Sequence, residues 1–164
     1  MTVGVIYRVP AGAVLVSDGR VTHIGEIVSD VERKNFLCGD MAIIVSGEIG
    51  QFWRRMQEKP PKTWRAFRAA FDASEDDSDW VAYDRRGGRL WLGDVRIASP
   101  YIAVGCGSST ALGALDVLTP ARSLAEAEVA ARRAVRAACG RHTECGGKVR
   151  TLVVPRTPGL VVSK

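Results

Sequence analysis

The sequence predicts an α+β fold of four layers, in which two stacked, mainly antiparallel sheets lie between helical layers, within a single domain spanning residues 1–164. Two observations carry this expectation. Apolar, β-branched segments alternate with helical periodicity in the order strands, two helices, strands, two helices, strands, and turn or capping residues punctuate nearly every change of pattern. Apolar residues make up 46% of the chain and charged residues 25%, which is the balance of a globular protein and excludes wholesale disorder, collagen-like and coiled-coil architectures.

The first strands are read at VGVIYRV from Val3, GAVLVS from Gly12, VTHIGEIV from Val21 and MAIIVS from Met41. Beyond Ser46-Gly47 the period lengthens: Phe52, Trp53 and Met56 mark one helix, Pro60-Pro61 stop it, and Trp64, Phe67 and Phe71 mark the next. Residues 72–79 form an acidic loop. DWVAYD, the turn RRGG and RLWLGD then read as a hairpin, with YIAVG from Tyr101 as a further strand. SSTALGALDVL is a helix that stops before Pro120. SLAEAEVAARRAVRAACG opens with a Ser123/Glu126 capping box, keeps Leu124, Ala127, Ala131, Val135 and Ala138 on one face, and ends at Gly140. VRTLVVP and GLVVS close the chain as strands.

A chain of 164 residues is long enough for one substantial core and short for two domains. Lys and Arg exceed Asp and Glu by 23 − 18 = 5, but basic and acidic residues are interleaved, so no nucleic-acid stripe is expected. No apolar run reaches the length of a membrane span and MTVGVIYR lacks the look of a signal peptide, so a soluble cytoplasmic protein with no membrane partner is expected. Four cysteines (Cys38, Cys106, Cys139 and Cys145) then read as free thiols.

Several motifs fail on inspection. The GGKV at Gly146 lacks the remaining residues of a phosphate loop, and Gly105-Cys106-Gly107-Ser108-Ser109 lacks the third glycine of a dinucleotide loop, leaving a tight strand-to-helix turn. Cys139, His142 and Cys145 fit no zinc spacing, so no metal site is assigned. Neither histidine has the context of a Ser/His/Asp system.

Thr2 is different. It follows Met1 directly, and a small second residue generally permits removal of the initiator methionine, leaving a threonine with a free α-amine. Nucleophile and base then reside in one residue. The amine has a reference pKa near ~7.7–8.0 and can take the hydroxyl proton at neutral pH, and a nearby cation keeps it neutral.

The segments T-V-G-V-I-Y-R from Thr2, S-D-G-R-V-T from Ser17, Arg33-Lys34 and I-V-S-G-E-I-G-Q from Ile44 resemble the proteasome β-subunit family of N-terminal nucleophile (Ntn) hydrolases, most of all the bacterial HslV (ClpQ) threonine peptidases. Asp18, Lys34 and Gly47 lie 16, 32 and 45 residues beyond Thr2, the spacing of that family's catalytic residues. The resemblance covers the first fifty residues well and continues more loosely through the Gly105-Cys106-Gly107 turn and the last helix.

It implies a four-layer αββα sandwich and a threonine-type endopeptidase. Thr2 would attack the scissile carbonyl, Lys34 would lower the pKa of its amine and hydroxyl, Asp18 would hold Lys34, and the Gly47 N–H would stabilise the oxyanion. Thr22 would bind an extended substrate through its backbone, and Val21, Glu32 and Val45 would wall the specificity pocket. The resemblance further implies unfolded polypeptide substrates and a homo-oligomeric double ring of hexameric or heptameric rings. No cofactor is expected in this chain. ATP would enter only through a separate AAA+ unfoldase ring, and a bound cation is left open.

Three positions depart from the family pattern. Cys106 stands where the family has a serine close to the terminal amine, and His142-Thr143-Glu144-Cys145-Gly146-Gly147 stands where it has Asp-x-x-Ser-Gly-Gly. A thiol is a weaker hydrogen-bonding group than a hydroxyl. Cys106 and His142 favour an alternative, an inactive ring-assembly subunit, and a second alternative, an Ntn amidohydrolase acting on a small molecule, follows from the several amide-cleaving chemistries that this fold hosts.

Overall fold

Several strands of this chain are apolar on both faces, and the structure buries both. It is a computed structural model that describes residues 2–23, 26–47, 50–74 and 77–157. Strands β1 (Gly4–Val9) and β2 (Gly12–Ser17) form a hairpin, flanked by β10 (Tyr101–Val104) and β11 (Arg150–Pro155) in an antiparallel sheet of order β10-β1-β2-β11. A second antiparallel sheet takes β5 (Asn35–Cys38), β6 (Met41–Gly47), β7 (Ser78–Asp84), β8 (Arg89–Leu92) and β9 (Val95–Ile97) in sequence order. β3 (Val21–His23) and β4 (Glu26–Ser29) pair as a separate ribbon. The fold is therefore α+β with mainly antiparallel sheets.

The two-residue period of a strand sorts its side chains between two environments. Val5, Tyr7, Val14 and Val16 face the helices α3 (Ser108–Asp116) and α4 (Leu124–Cys139), packing with Leu115, Ala127, Ala131 and Val135. Ile6, Leu15 and Val104 share an apolar cluster with Ile44, Val81, Tyr83 and Leu90 of the other large sheet. Ile43, Val45, Trp80 and Ala82 cluster with Phe52, Trp53 and Met56 of α1 (Gln51–Glu58) and Phe67 of α2 (Trp64–Asp72). Covering both faces explains why these strands read as near-continuous apolar runs rather than as an alternation.

α4 keeps the expected face: Ala127, Ala131, Val135 and Ala138 are buried, joined by Ala130 and Ala134. Its capping box closes differently. Ser123 Oγ accepts the Glu126 N–H at 3.2 Å, but Glu126 Oε2 accepts the N–H of Arg122, at 2.7 Å, one residue before the cap. Gly140 ends the helix with right-handed backbone (φ −74°), so its role there is not that of a left-handed cap.

The expected segment VTHIGEIV is two strands, since Thr22 pairs with Ile27 and His23 with Glu26. Two short strands, β5 and β9, carry too weak a pattern to be read from sequence. β5 forms through a two-residue hairpin loop at Gly39-Asp40, where Gly39 takes φ +63° and Cys38 pairs with Met41. β7 starts at Ser78, inside the expected acidic loop, and α2 extends to Asp72. The expected closing strand GLVVS lies outside the described residues. No helix among the described residues is long and apolar enough to cross a membrane.

Phe67 is fully buried and meets Trp64 in a stack (5.3 Å between ring centroids), with Phe52 and Trp80 edge-on at 5.7 and 5.8 Å. Replacing it by alanine leaves a ring-sized void under α2. Phe67→Ala should destabilise the fold by about 3–5 kcal/mol in urea denaturation; a loss below ~1 kcal/mol would show that this cluster does not hold α2 to the sheet.

Candidate active site

The register of the first hairpin places the start of the chain. Gly4 pairs with Ser17, so the residues just outside the ladder, Val3 and Asp18, meet next. They exchange hydrogen bonds: the Asp18 N–H donates to Val3 O (3.1 Å) and the Val3 N–H donates to Asp18 Oδ1 (3.0 Å). Thr2 is thereby held at the end of the sheet, buried at 2% exposure.

The β5–β6 hairpin delivers the cation. Asn35 pairs with Ile44, and the Val45 N–H donates to Lys34 O at 3.0 Å, which points the chain into the site at Lys34. Lys34 Nζ donates to Asp18 Oδ1 at 2.7 Å and to Arg20 O at 2.6 Å, and both ionic side chains are wholly buried. Asp18 Oδ2 accepts the Gly146 N–H at 2.9 Å. The carboxylate thus accepts three hydrogen bonds, from Val3, Lys34 and Gly146. A lysine is almost never fully buried without a partner, because leaving water costs several kcal/mol per ion. That burial lowers the Lys34 pKa, and the Asp18 charge and hydrogen bond oppose the effect.

The Gly105-Cys106-Gly107 turn closes over Thr2. Gly105 adopts φ +91°, and a Cβ there would overlap the Thr2 carbonyl oxygen, so only glycine fits. The same Cβ would meet Ser46 Oγ, which places Ser46 on the rim of this turn, and Ser46 is itself buried at 5% exposure. Gly47 ends β6 opposite Ser78 with φ +130°. Cys106 Sγ lies 3.4 Å from Thr2 O and 3.2 Å from Cys145 Sγ.

Cys145 belongs to the 142–147 loop, which is pinned by Arg20. Its guanidinium binds Asp30 Oδ1 at 2.8 Å and Thr143 O at 2.9 Å. Gly147, at φ +70°, sits against the Asp30 backbone where a Cβ would collide with it. His142 turns away from the Thr2 site: its Nε2 is 2.9 Å from Thr110 Oγ1 on α3.

Of the residues expected from sequence, Thr2, Asp18, Lys34 and Cys106 are brought together, and Gly47 lies one residue beyond Ser46. Val21 and Glu32 line a pocket of about 280 Å³ together with Val28, Ser29, Trp53 and Gln57. It adjoins the ion pair through the chain: Val21 follows the Arg20 carbonyl that accepts from Lys34, and the Glu32 N–H donates to Gly19 O at 3.0 Å. Thr22 is half-buried on β3 beside it. Val45 does not line this pocket. Its side chain faces α1 and α2, fully buried in the cluster that holds Val21 and Trp53, because the β6 register assigns it to the helix side.

Sequence reasoning missed Arg20, Ser46 and the backbone of Gly146, and it weighed Cys145 only as a metal ligand or a family substitution. The bonds that Arg20 O and the Gly146 N–H make to the ion pair are main-chain contacts and leave no side-chain signal. Ser17, next to Asp18, is a further buried polar residue whose Oγ has no hydrogen-bond partner among the described residues.

Neither a protein-family model nor a curated protein matches the sequence. Among solved structures, a Thiobacillus denitrificans protein designated BPH superimposes with a TM-score of 0.72 over 96% of this chain and 100% of that one, at 23% sequence identity. That likeness is one of fold.

Removing one member of the buried pair strands the other. Asp18→Ala should cost about 3–5 kcal/mol of stability, and the Asp18→Ala/Lys34→Met double variant should lose less than the sum of the singles; additivity within ~0.3 kcal/mol in denaturant melts would mean the two charges do not depend on each other. The pH dependence has a definite sign. The Lys34 pKa is lower folded than unfolded, so the unfolded chain binds more protons between the lowered value and about 10.4. The cost of burying the ammonium is fully present below that window and is relieved through it. The stability of wild type relative to Lys34→Met should therefore rise with pH across that alkaline window, read by melts at stepped pH.

Proposed function

We propose that this chain is a threonine-type endopeptidase subunit that uses Thr2, freed by removal of Met1, to hydrolyse peptide bonds. The observation that carries the reading is the wholly buried Lys34–Asp18 ion pair, whose shared oxygen Asp18 Oδ1 also accepts the N–H of Val3, the residue next to Thr2. Burying an ammonium ion costs several kcal/mol, and a nucleophile whose amine must stay neutral gives that cost a chemical use. The spacing of Thr2, Asp18, Lys34 and Gly47 and the two opposed sheets support placing the chain with the proteasome-like Ntn hydrolases and their four-layer αββα sandwich.

In this mechanism the Thr2 α-amine, directly or through one water, takes the hydroxyl proton as Oγ attacks the scissile carbonyl. Lys34 stabilises the developing negative charge and keeps the amine unprotonated. The Gly47 N–H donates to the oxyanion, a contact whose loss typically costs about 10²–10³-fold in rate. The amine proton passes to the leaving nitrogen, the C–N bond breaks, and water then hydrolyses the ester on Thr2. An extended substrate lies along β3 at Thr22, with a side chain entering the pocket of Val21 and Glu32. Unfolded polypeptide substrates, a double ring with six or seven subunits in each ring, an AAA+ partner and residence in the cytoplasm complete the proposal.

Intact mass before and after treatment with a peptide epoxyketone tests it, since that reagent requires both the hydroxyl and the free amine of an N-terminal threonine. Loss of Met1 and one adduct per subunit are expected, with Thr2→Ala giving neither adduct nor peptide hydrolysis while remaining folded. Met1 retained with no adduct would instead favour the assembly subunit. Lys34→Ala should be nearly as severe as Thr2→Ala, and Cys106→Ser should match or exceed the wild-type rate; a strong loss in the serine variant would give the thiol a role of its own.

A further inference from the structure

We propose that Cys106 and Cys145 are a peroxide-responsive thiol pair that forms a reversible disulfide against the Thr2 carbonyl. Its effect on catalysis rests on the reading of Thr2 given above; the formation of the bond does not. Both cysteines are free, with Sγ atoms 3.2 Å apart, so an approach of about 1 Å reaches the ~2.05 Å of a disulfide. They lie on different segments, the 105–107 turn and the 142–147 loop, and each segment touches the candidate site. Cys106 meets Thr2 O at 3.4 Å, and Gly146, the neighbour of Cys145, donates to Asp18 Oδ2 at 2.9 Å.

The four cysteines divide by environment. Cys38 is buried and Cys139 half-buried, and loss of hydration pushes both thiols up to about 11 and keeps them protonated at neutral pH. Cys106 moves the other way, chiefly because the Cys145 S–H hydrogen-bonds to it, while Cys145 itself is raised. Cys106 is also the more exposed of the pair, whereas Cys145 is 1% exposed. This is the division of labour between an attacking thiolate and a resolving thiol.

The chemistry balances with hydrogen peroxide as oxidant. The Cys106 thiolate attacks one peroxide oxygen, the O–O bond breaks, and the departing hydroxide takes up a proton, leaving Cys106 as sulfenic acid. Cys145 sulfur then displaces that hydroxyl as water. Two thiols and one peroxide give one disulfide and two waters, and an external dithiol reverses the bond by exchange. The disulfide ties the turn over Thr2 to the loop that anchors Asp18 and withdraws the Cys106 S–H from the Thr2 carbonyl.

The test treats the reduced full-length protein with hydrogen peroxide, alkylates the remaining thiols and maps the digest by mass spectrometry. Alkylatable cysteines should fall from four to two (4 − 2 = 2), with a cross-linked Cys106–Cys145 peptide that dithiothreitol abolishes. Cys145→Ser should lose the cross-link and trap Cys106 as a dimedone-reactive sulfenic acid. Four alkylatable thiols after peroxide, a linkage between other cysteines, or Cys106 over-oxidised while wild-type Cys145 stays alkylatable would each overturn the proposal. Epoxyketone labelling of the two redox forms reads the coupling to Thr2, expected to be roughly 2–10-fold slower in the disulfide form, as the loss of one hydrogen bond allows. Equal labelling rates would remove the coupling. No labelling in either form, with the cross-link present, would count against the peptidase reading and leave the thiol pair standing.

Discussion

An ammonium ion without access to water governs the geometry of this protein's first fifty residues. Lys34 is tolerated in the interior because Asp18 lies 2.7 Å away and the Arg20 carbonyl 2.6 Å away, and Asp18 in turn is held by two backbone N–H groups. Each satisfied valence fixes another segment: β1 through Val3, the chain after β2 through Arg20, β5 through Lys34 itself, and the 142–147 loop through Gly146. Such a pair adds little net stability compared with apolar side chains of the same volume. What it contributes is placement, since four chain segments have to converge for the charges to be neutralised.

The rest of the fold supplies a rigid frame for that convergence. Three apolar clusters, two shared by strands and helices and one shared by strands of the two large sheets, leave the strands little freedom to slip, because a one-residue shift would exchange the inner and outer side chains of a strand buried on both faces. The site lies where this frame ends, at the last residues of β2 and β6 and the turn after β10. Backbone groups left over by the ladders become available there, and the polar residues Ser17, Ser46 and Asp18 replace the apolar ones preceding them.

Much of this was legible in the residues themselves. The apolar runs of β1, β2 and β6 and the alanine face of α4 announced their elements, and the offsets from Thr2 to Asp18 and Lys34 marked two residues that the fold does bring together. What was illegible falls into physical classes. β5 is four residues long and begins at polar Asn35, so it has no periodicity to read, although it is the strand that carries Lys34 into the site. The anchors at Arg20 O and Gly146 N–H are main-chain groups, which are identical in every residue. Val45 is buried in the cluster that also holds Val21 and Trp53 of the pocket wall, a packing that its place in an apolar run does not reveal. The contact of Cys106 with Cys145 joins residues 39 apart and depends on loop packing that no local pattern encodes.

The Gly146–Asp18 hydrogen bond spans 128 residues of sequence. During synthesis the first hairpin and the lysine are available early, while the group that caps the second carboxylate oxygen emerges only after α4 has been made and packed against the first sheet. Long-range closure of this kind is slow, and domains organise as the chain lengthens. The charged centre therefore gains its last backbone donor only when nearly the whole chain has been made, while Asp18 and Lys34 stand ready from its first fifty residues.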